Sequence, residues 1–145
     1  MHILETVYRD LFNKFITHCE HTVRVVDPPP VALPSAAEHV LTTRTLSINV
    51  PRHTGINTAL VPILKSRAAI LGPRILCVVS HQDHSAYDQA YQGNGVDVMS
   101  NLIGIDINAY DIVAFCGVIP TNLRELITNY NLVVIITGYI DVNPR

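Results

Sequence analysis

From His2 to about Val23, apolar residues recur at steps of three and four, and Ile3, Leu4, Val7, Tyr8, Leu11, Phe12, Phe15, Ile16 and Cys19 form one wide stripe. The spacing predicts an amphipathic helix whose stripe is covered by the chain's own sheet or by a partner. Val25-Val26-Asp27-Pro28-Pro29-Pro30 ends the pattern, because consecutive prolines remove backbone donors and favour an extended path. Ser35-Ala36-Ala37-Glu38 has the form of a capping box and opens a short helix through Leu41. β-Branched and apolar residues from Thr43 to Val50 predict a strand. After a tight loop at Pro51 to Gly55, residues 57–71 suit a helix with Leu60, Ile63, Leu64 and Ala68 inward, provided that Pro62 falls in its first turns. Gly72-Pro73 stops it.

Ile75 to Val79 is a continuous apolar run, the pattern of a parallel strand buried on both faces. The polar stretch from Ser80 to Gly95 predicts a second helix that gives way to a turn at Gly93-Asn94-Gly95. Residues 96–107 fit either a strand or a short helix. Asp111 to Gly117 predicts a further buried strand, Thr121 the cap of a helix carrying Leu123, Leu126 and Ile127, and Leu132 to Thr137 another strand. Strands alternating with helices imply right-handed crossovers and a parallel sheet. The expectation is a three-layer, Rossmann-like α/β domain over 35–145. An amphipathic helix over 1–26 and a proline-rich connector over 27–34 precede it.

Composition narrows the function. The 145 residues are 48% hydrophobic and 15% charged, well below the roughly 25% charged residues of an average soluble domain. A well-covered sheet or an apolar docking surface is implied, so a protein partner or self-association is expected. The net charge is −2 and no Lys/Arg cluster forms a stripe, which argues against direct nucleic-acid binding. Cys19, Cys77 and Cys116 are odd in number and lack CxxC spacing, so they read as reduced core residues of an intracellular protein. No run approaches the eighteen or so apolar residues of a membrane span, and the charged N-terminal segment does not resemble a secretion signal.

Candidate chemistry centres on Leu46 to Leu60, which reads as a strand, a tight loop and the start of a helix. A P-loop NTPase places its phosphate-binding loop in such a frame, where backbone N–H groups and the helix dipole meet the anion. Arg52, His53, Thr54, Gly55, Ile56, Asn57 and Thr58 occupy the loop here. The Lys that reaches the β- and γ-phosphates and the hydroxyl that holds Mg²⁺ are missing, since Gly55 is followed by Ile56 and Asn57.

Four segments in order resemble the ATPase domain of the terminase large subunit, the DNA-packaging motor of herpesviruses and tailed phages. They are Val50-Pro51-Arg52-His53-Thr54-Gly55, Val78 to Ser85, Tyr110 to Gly117, and Leu132 to Gly138. They are similar, respectively, to the family's phosphate loop, the strand ending in an Ala-His turn, the Walker B strand and the coupling strand. The resemblance covers about two-thirds of the chain and implies a P-loop NTPase-like fold, with a viral or phage source and a host nucleus or cytoplasm as its setting. It also implies lost activity. Ile56 stands at the Lys position and Asn57 at the hydroxyl position, with Thr58 one place late. Cys116 and Gly117 stand where the family has its Mg²⁺-binding Asp and water-activating Glu. An apolar Ile cannot offset γ-phosphate charge. The nuclease domain of the terminase is absent from this sequence. The expected protein is not an enzyme and holds no cofactor; it is an interaction or regulatory module.

Two alternatives belong to other classes. A protein that binds ATP or ADP without hydrolysis would keep backbone phosphate contacts at 52–58. A metal-dependent hydrolase would use His81, Asp83 and His84, whose His-x-Asp-His spacing is part of a zinc signature. That signature is incomplete, because Val79 stands at the earlier His position and no His follows His84. Gly-x-Ser-x-Gly does not occur, and Cys116 near His81 or His84 is a weaker candidate nucleophile than core residue.

Overall fold

The computed structural model describes residues 3–22, 24–26, 34–51, 54–71 and 74–140, with the side chains of Leu71 and Ile140 excepted. The chain runs α1 (Ile3–His21), α2 (Ala36–Thr43), β1 (Thr45–Pro51), α3 (Ile56–Leu71), β2 (Ile75–Val79), α4 (His84–Tyr91), β3 (Val96–Met99), a 3-10 turn (Ile107–Ala109), β4 (Ile112–Cys116), α5 (Leu123–Leu126) and β5 (Val133–Ile140). The strands form one all-parallel sheet in the order β1-β5-β4-β2-β3. This is the expected Rossmann-like α/β architecture, with the N-terminal helix present.

Every residue of β2 and β4 is buried, as apolar strands covered on both faces require. The pleat divides their side chains. Ile75, Cys77, Val79, Ile112, Ala114, Cys116, Val133 and Ile135 pack with α1, α3 and α4 on one face. Leu76, Val78, Val113, Phe115, Leu132 and Val134 pack with α2, α5 and the 3-10 turn on the other. The crossovers explain this division. The connections β1 to β2 and β2 to β3 move one way across the sheet, and β3 to β4 and β4 to β5 move back. Right-handed connections travelling in opposite directions place their helices on opposite faces.

The sequence patterns account for most local structure. Ser35 Oγ accepts the Glu38 backbone N–H at 3.2 Å, so the predicted capping box closes, while the Glu38 carboxylate pairs with Arg124 at 2.6 Å on α5. Pro62 stands in the second turn of α3 on an exposed position, where a missing N–H forfeits one hydrogen bond. Residues 96–99 are a strand, which settles the helix-or-strand ambiguity there, because their pairing with β2 puts Val96 and Val98 on the α3 face. Gly138 faces Asn49 on β1, and a Cβ there would collide with Asn49 Oδ1, which explains a glycine inside a strand.

One expected cap and one expected extent are corrected. The helix after Thr121 is a single turn, Leu123–Leu126, with Asn122 at its N-cap and no side-chain capping bond. Ile127 lies beyond it in extended backbone, because Asn108 draws the chain away. Its side chain accepts the Thr128 and Asn129 N–H groups at 2.7 and 3.0 Å and donates to Leu126 O at 2.8 Å. Gly72-Pro73 and the prolines at 28–30 lie outside the described residues.

The stripe of α1 is only partly covered. Tyr8, Phe12, Ile16 and Cys19 are buried against the α3 side of the core, whereas Ile3, Val7 and Leu11 lie along the exposed flank. Arg67 of α3 fixes the helix pair by binding Glu20 and, at 2.9 Å, Thr17 Oγ1. Leu64, fully buried in α3, and Ile70, exposed near its end, give a direct test of the layer. Leu64→Ala is expected to lower unfolding free energy by about 2–5 kcal/mol and Ile70→Ala by less than about 0.5, measured by urea denaturation. Equal losses would mean that α3 packs through a different face.

Candidate functional site

All five strands are parallel, so their carboxyl ends lie along one edge of the sheet, where ligands of open α/β sheets bind. β2 and β4 are neighbours there, yet β2 leads to α4 on one face and β4 to α5 on the other. Their diverging ends make a switch point at Val79-Ser80 and Cys116-Gly117. Gly117 turns the chain with φ +82, a left-handed value that favours glycine, and its N–H donates to Thr137 O at 2.8 Å.

Of the phosphate-loop positions, Arg52 and His53 lie outside the described residues. Gly55 has φ +86, and its carbonyl accepts the Ala59 N–H at 2.9 Å as α3 begins. α1 covers the described part of the loop, Thr54 and Gly55. Tyr8 donates to Thr54 Oγ1 at 3.1 Å, Thr54 Oγ1 donates to Pro51 O at 3.0 Å, and a side chain at Gly55 would begin 3.5 Å from Glu5 Cβ. Glu5, whose Cβ and Cγ face Gly55, pairs its carboxylate with Arg9 at 3.5 Å.

Ile56, at the Lys position, is turned into the core and 1% exposed. Asn57, at the hydroxyl position, is half-buried and doubly engaged: Thr137 Oγ1 donates to its Oδ1 at 2.8 Å, and its Nδ2 donates to Tyr139 OH at 2.8 Å. Thr58 is exposed. Thr137 therefore joins two of the positions singled out from sequence, since its side chain holds Asn57 and its carbonyl holds Gly117. The network is neutral, short and self-satisfied.

Cys116 is buried, with its sulfur 3.6 Å from that of Cys77 on the neighbouring strand. The hydrogen bond to Cys116, followed by burial, drives the Cys77 thiol far above its usual pKa, so Cys77 remains a protonated core group. Tyr87 and Tyr91 stack above this face with their phenols pushed up, chiefly by burial. Each is an apolar wall at neutral pH.

The histidine turn is engaged internally. Asp83 Oδ2 accepts from Ser80 Oγ at 2.9 Å, His84 Nε2 lies 3.0 Å from Val98 O, and His81 is exposed. Among the described residues no group of three His, Cys, Asp or Glu side chains is placed to hold a metal ion. A cavity of about 440 Å³ opens on the α5 face of the switch point, lined by Val78, Asn101, Leu102, Ile103, Val118 and Ile119 among others. No charged side chain lines it, which suits an uncharged apolar group.

Sequence reasoning missed Glu5, Tyr8, Thr137 and Tyr139. Thr137 carried a signal, as the hydroxyl that follows the apolar run 132–136 inside a strand. Glu5 and Tyr8 carried none, because only the docking of α1 brings them to the loop.

Together these features define an all-parallel, Rossmann-like α/β domain with a neutral Asn57–Thr137–Tyr139 hydrogen-bond network at its carboxyl edge. No known protein family matches the chain, and no curated protein does. No helix of the described residues is long and apolar enough to cross a membrane. The Thr137–Asn57 bond is testable by a double-mutant cycle. Thr137→Val and Asn57→Ala are each expected to cost about 1 kcal/mol in urea denaturation, with a coupling of about 0.5 kcal/mol or more. Strict additivity would mean that the bond does not hold the edge together.

Proposed function

We propose that the chain is a catalytically inactive, P-loop ATPase-like module that works by protein interaction. The carrying observation is the roofed loop: α1 covers Thr54 and Gly55 through Tyr8 and Glu5. Beneath it, Ile56 is in the core and Asn57 is locked to Thr137 and Tyr139. Phosphoryl transfer needs compensating charge and a positioned metal at this point, and an apolar side chain with a neutral network supplies neither. The helix that closes the loop also presents Ile3, Val7 and Leu11 outward, an apolar flank suited to a protein partner or a second copy. The resemblance to the terminase ATPase core extends the proposal to a viral or phage DNA-packaging motor as the partner, in the host nucleus or cytoplasm.

The test uses the purified chain. A melting scan is expected to be flat with Mg²⁺-ATP or ADP, phosphate release to stay at background, and zinc to be absent in stoichiometric amount. The double variant Val7→Lys/Leu11→Lys is expected to melt within about 3 °C of the parent, because both positions are exposed, while losing self-association or binding to a purified ATPase motor. A thermal shift with nucleotide that disappears in Arg52→Ala would replace this reading with nucleotide binding without hydrolysis. Bound zinc lost in His81→Ala or His84→Ala would replace it with metal chemistry.

A further inference from the structure

At the opposite, amino-terminal edge of the sheet, Arg44 sits between α2 and β1 and is 8% exposed. Its Nη1 donates to Cys19 O at 3.4 Å and to Thr22 Oγ1 at 2.6 Å, and its Nη2 donates to Asn131 O at 3.2 Å. Nε is buried and has no hydrogen-bond partner among the described residues. Three of the five guanidinium hydrogens are thus used, and all the acceptors are neutral. Among the described residues no carboxylate forms an ion pair with Arg44. The nearby acids are engaged elsewhere: Glu20 binds Arg67, and Asp111 Oδ2 accepts the Arg74 backbone N–H at 2.9 Å.

The Cys19 carbonyl belongs to the last turn of α1, so the helix dipole offsets part of the charge. A buried cation ordinarily needs a charged partner as well, because desolvation outweighs what a helix terminus returns. Burial pulls the Arg44 pKa below its ordinary range, and Arg24 pushes it the same way. Both arginines line a cavity of about 290 Å³ whose other walls include Ile16, Ile112 and Val133.

We propose that this cavity binds a small organic carboxylate, its anionic head on Arg44 and Arg24 and its short apolar body against Ile16, Ile112 and Val133. Nη2 keeps one hydrogen beyond its bond to Asn131 O, so a carboxylate oxygen can take that hydrogen while the neighbouring Arg24 supplies the second positive charge. Apolar walls beside the acidic rim of Glu20 and Asp111 suit a singly charged head better than a multiply charged phosphate. The site is independent of the carboxyl-edge loop, so its failure leaves the interaction reading untouched.

The experiment titrates the purified chain with sodium isobutyrate, its neutral isostere isobutyramide and sodium phosphate at constant ionic strength. It follows melting temperature and the ¹H–¹⁵N signals of the arginine Nε groups. Isobutyrate is expected to raise the melting temperature saturably by about 3 °C and to move one protected Nε signal, with no response to the amide. Arg24→Ala, at an exposed position, should stay folded and weaken the apparent affinity at least about fivefold, in line with loss of one charge-assisted hydrogen bond. Arg44→Lys should keep a weaker response and lose the Nε signal. Equal responses to acid and amide would overturn the proposal in favour of a plain apolar cavity, and a stronger response to phosphate would overturn the ligand class. No response in the parent would overturn it too.

Discussion

Everything in this domain depends on covering β2 and β4 from both sides. Neither strand has a polar side chain, and every residue of both is buried. Backbone groups of such strands can be satisfied only by neighbouring strands, and their side chains only by helices on each face. Once β2 and β4 pair, β5 and β3 flank them, and the connections must divide between the faces. The switch point at Ser80 and Gly117 is a by-product of that division rather than a separately built feature.

The carboxyl edge follows from the same constraint. At Thr137 the apolar run of β5 ends, and the first polar side chain on the α3 face meets the first turn of α3. Asn57 answers it with a carbonyl toward Thr137 and an amide toward Tyr139. In an active phosphate-binding site these positions would be left open for a ligand to complete; here side chains complete one another. Placing α1 over Thr54 and Gly55 carries the closure further, since the roof is part of the hydrophobic core through Phe12 and Ile16.

How much of this could be read from sequence depended on whether the information was local. The period of α1, the capping box at Ser35 and the apolar runs of β2, β4 and β5 are local, and each element formed where its pattern lay. The helix after Thr121 was overestimated because Asn108, distant in sequence, captures the backbone at 128–129. β3 was ambiguous because four residues are too few for a period to declare itself; pairing with β2 decides it. At the site, the identities of Ile56, Asn57, Cys116 and Gly117 were legible and their partners were not. Tyr8, Glu5 and Tyr139 reach the loop only through tertiary packing, and only the folded chain shows that Arg44 forms no ion pair with a described carboxylate.

The position of β1 has a kinetic consequence. Among the described residues it is an edge strand hydrogen-bonded only to β5, which lies about ninety residues later in the chain, so its pairing is strongly non-local and slow to close. During synthesis β2, α4, β3 and β4 can assemble while β1 still lacks its neighbour. Until β5 arrives, the strand that leads into the loop has no sheet to join. For that interval a bystander strand, whether from a chaperone client or a second nascent copy, competes for the same open edge, and the native protein is the outcome of winning that race.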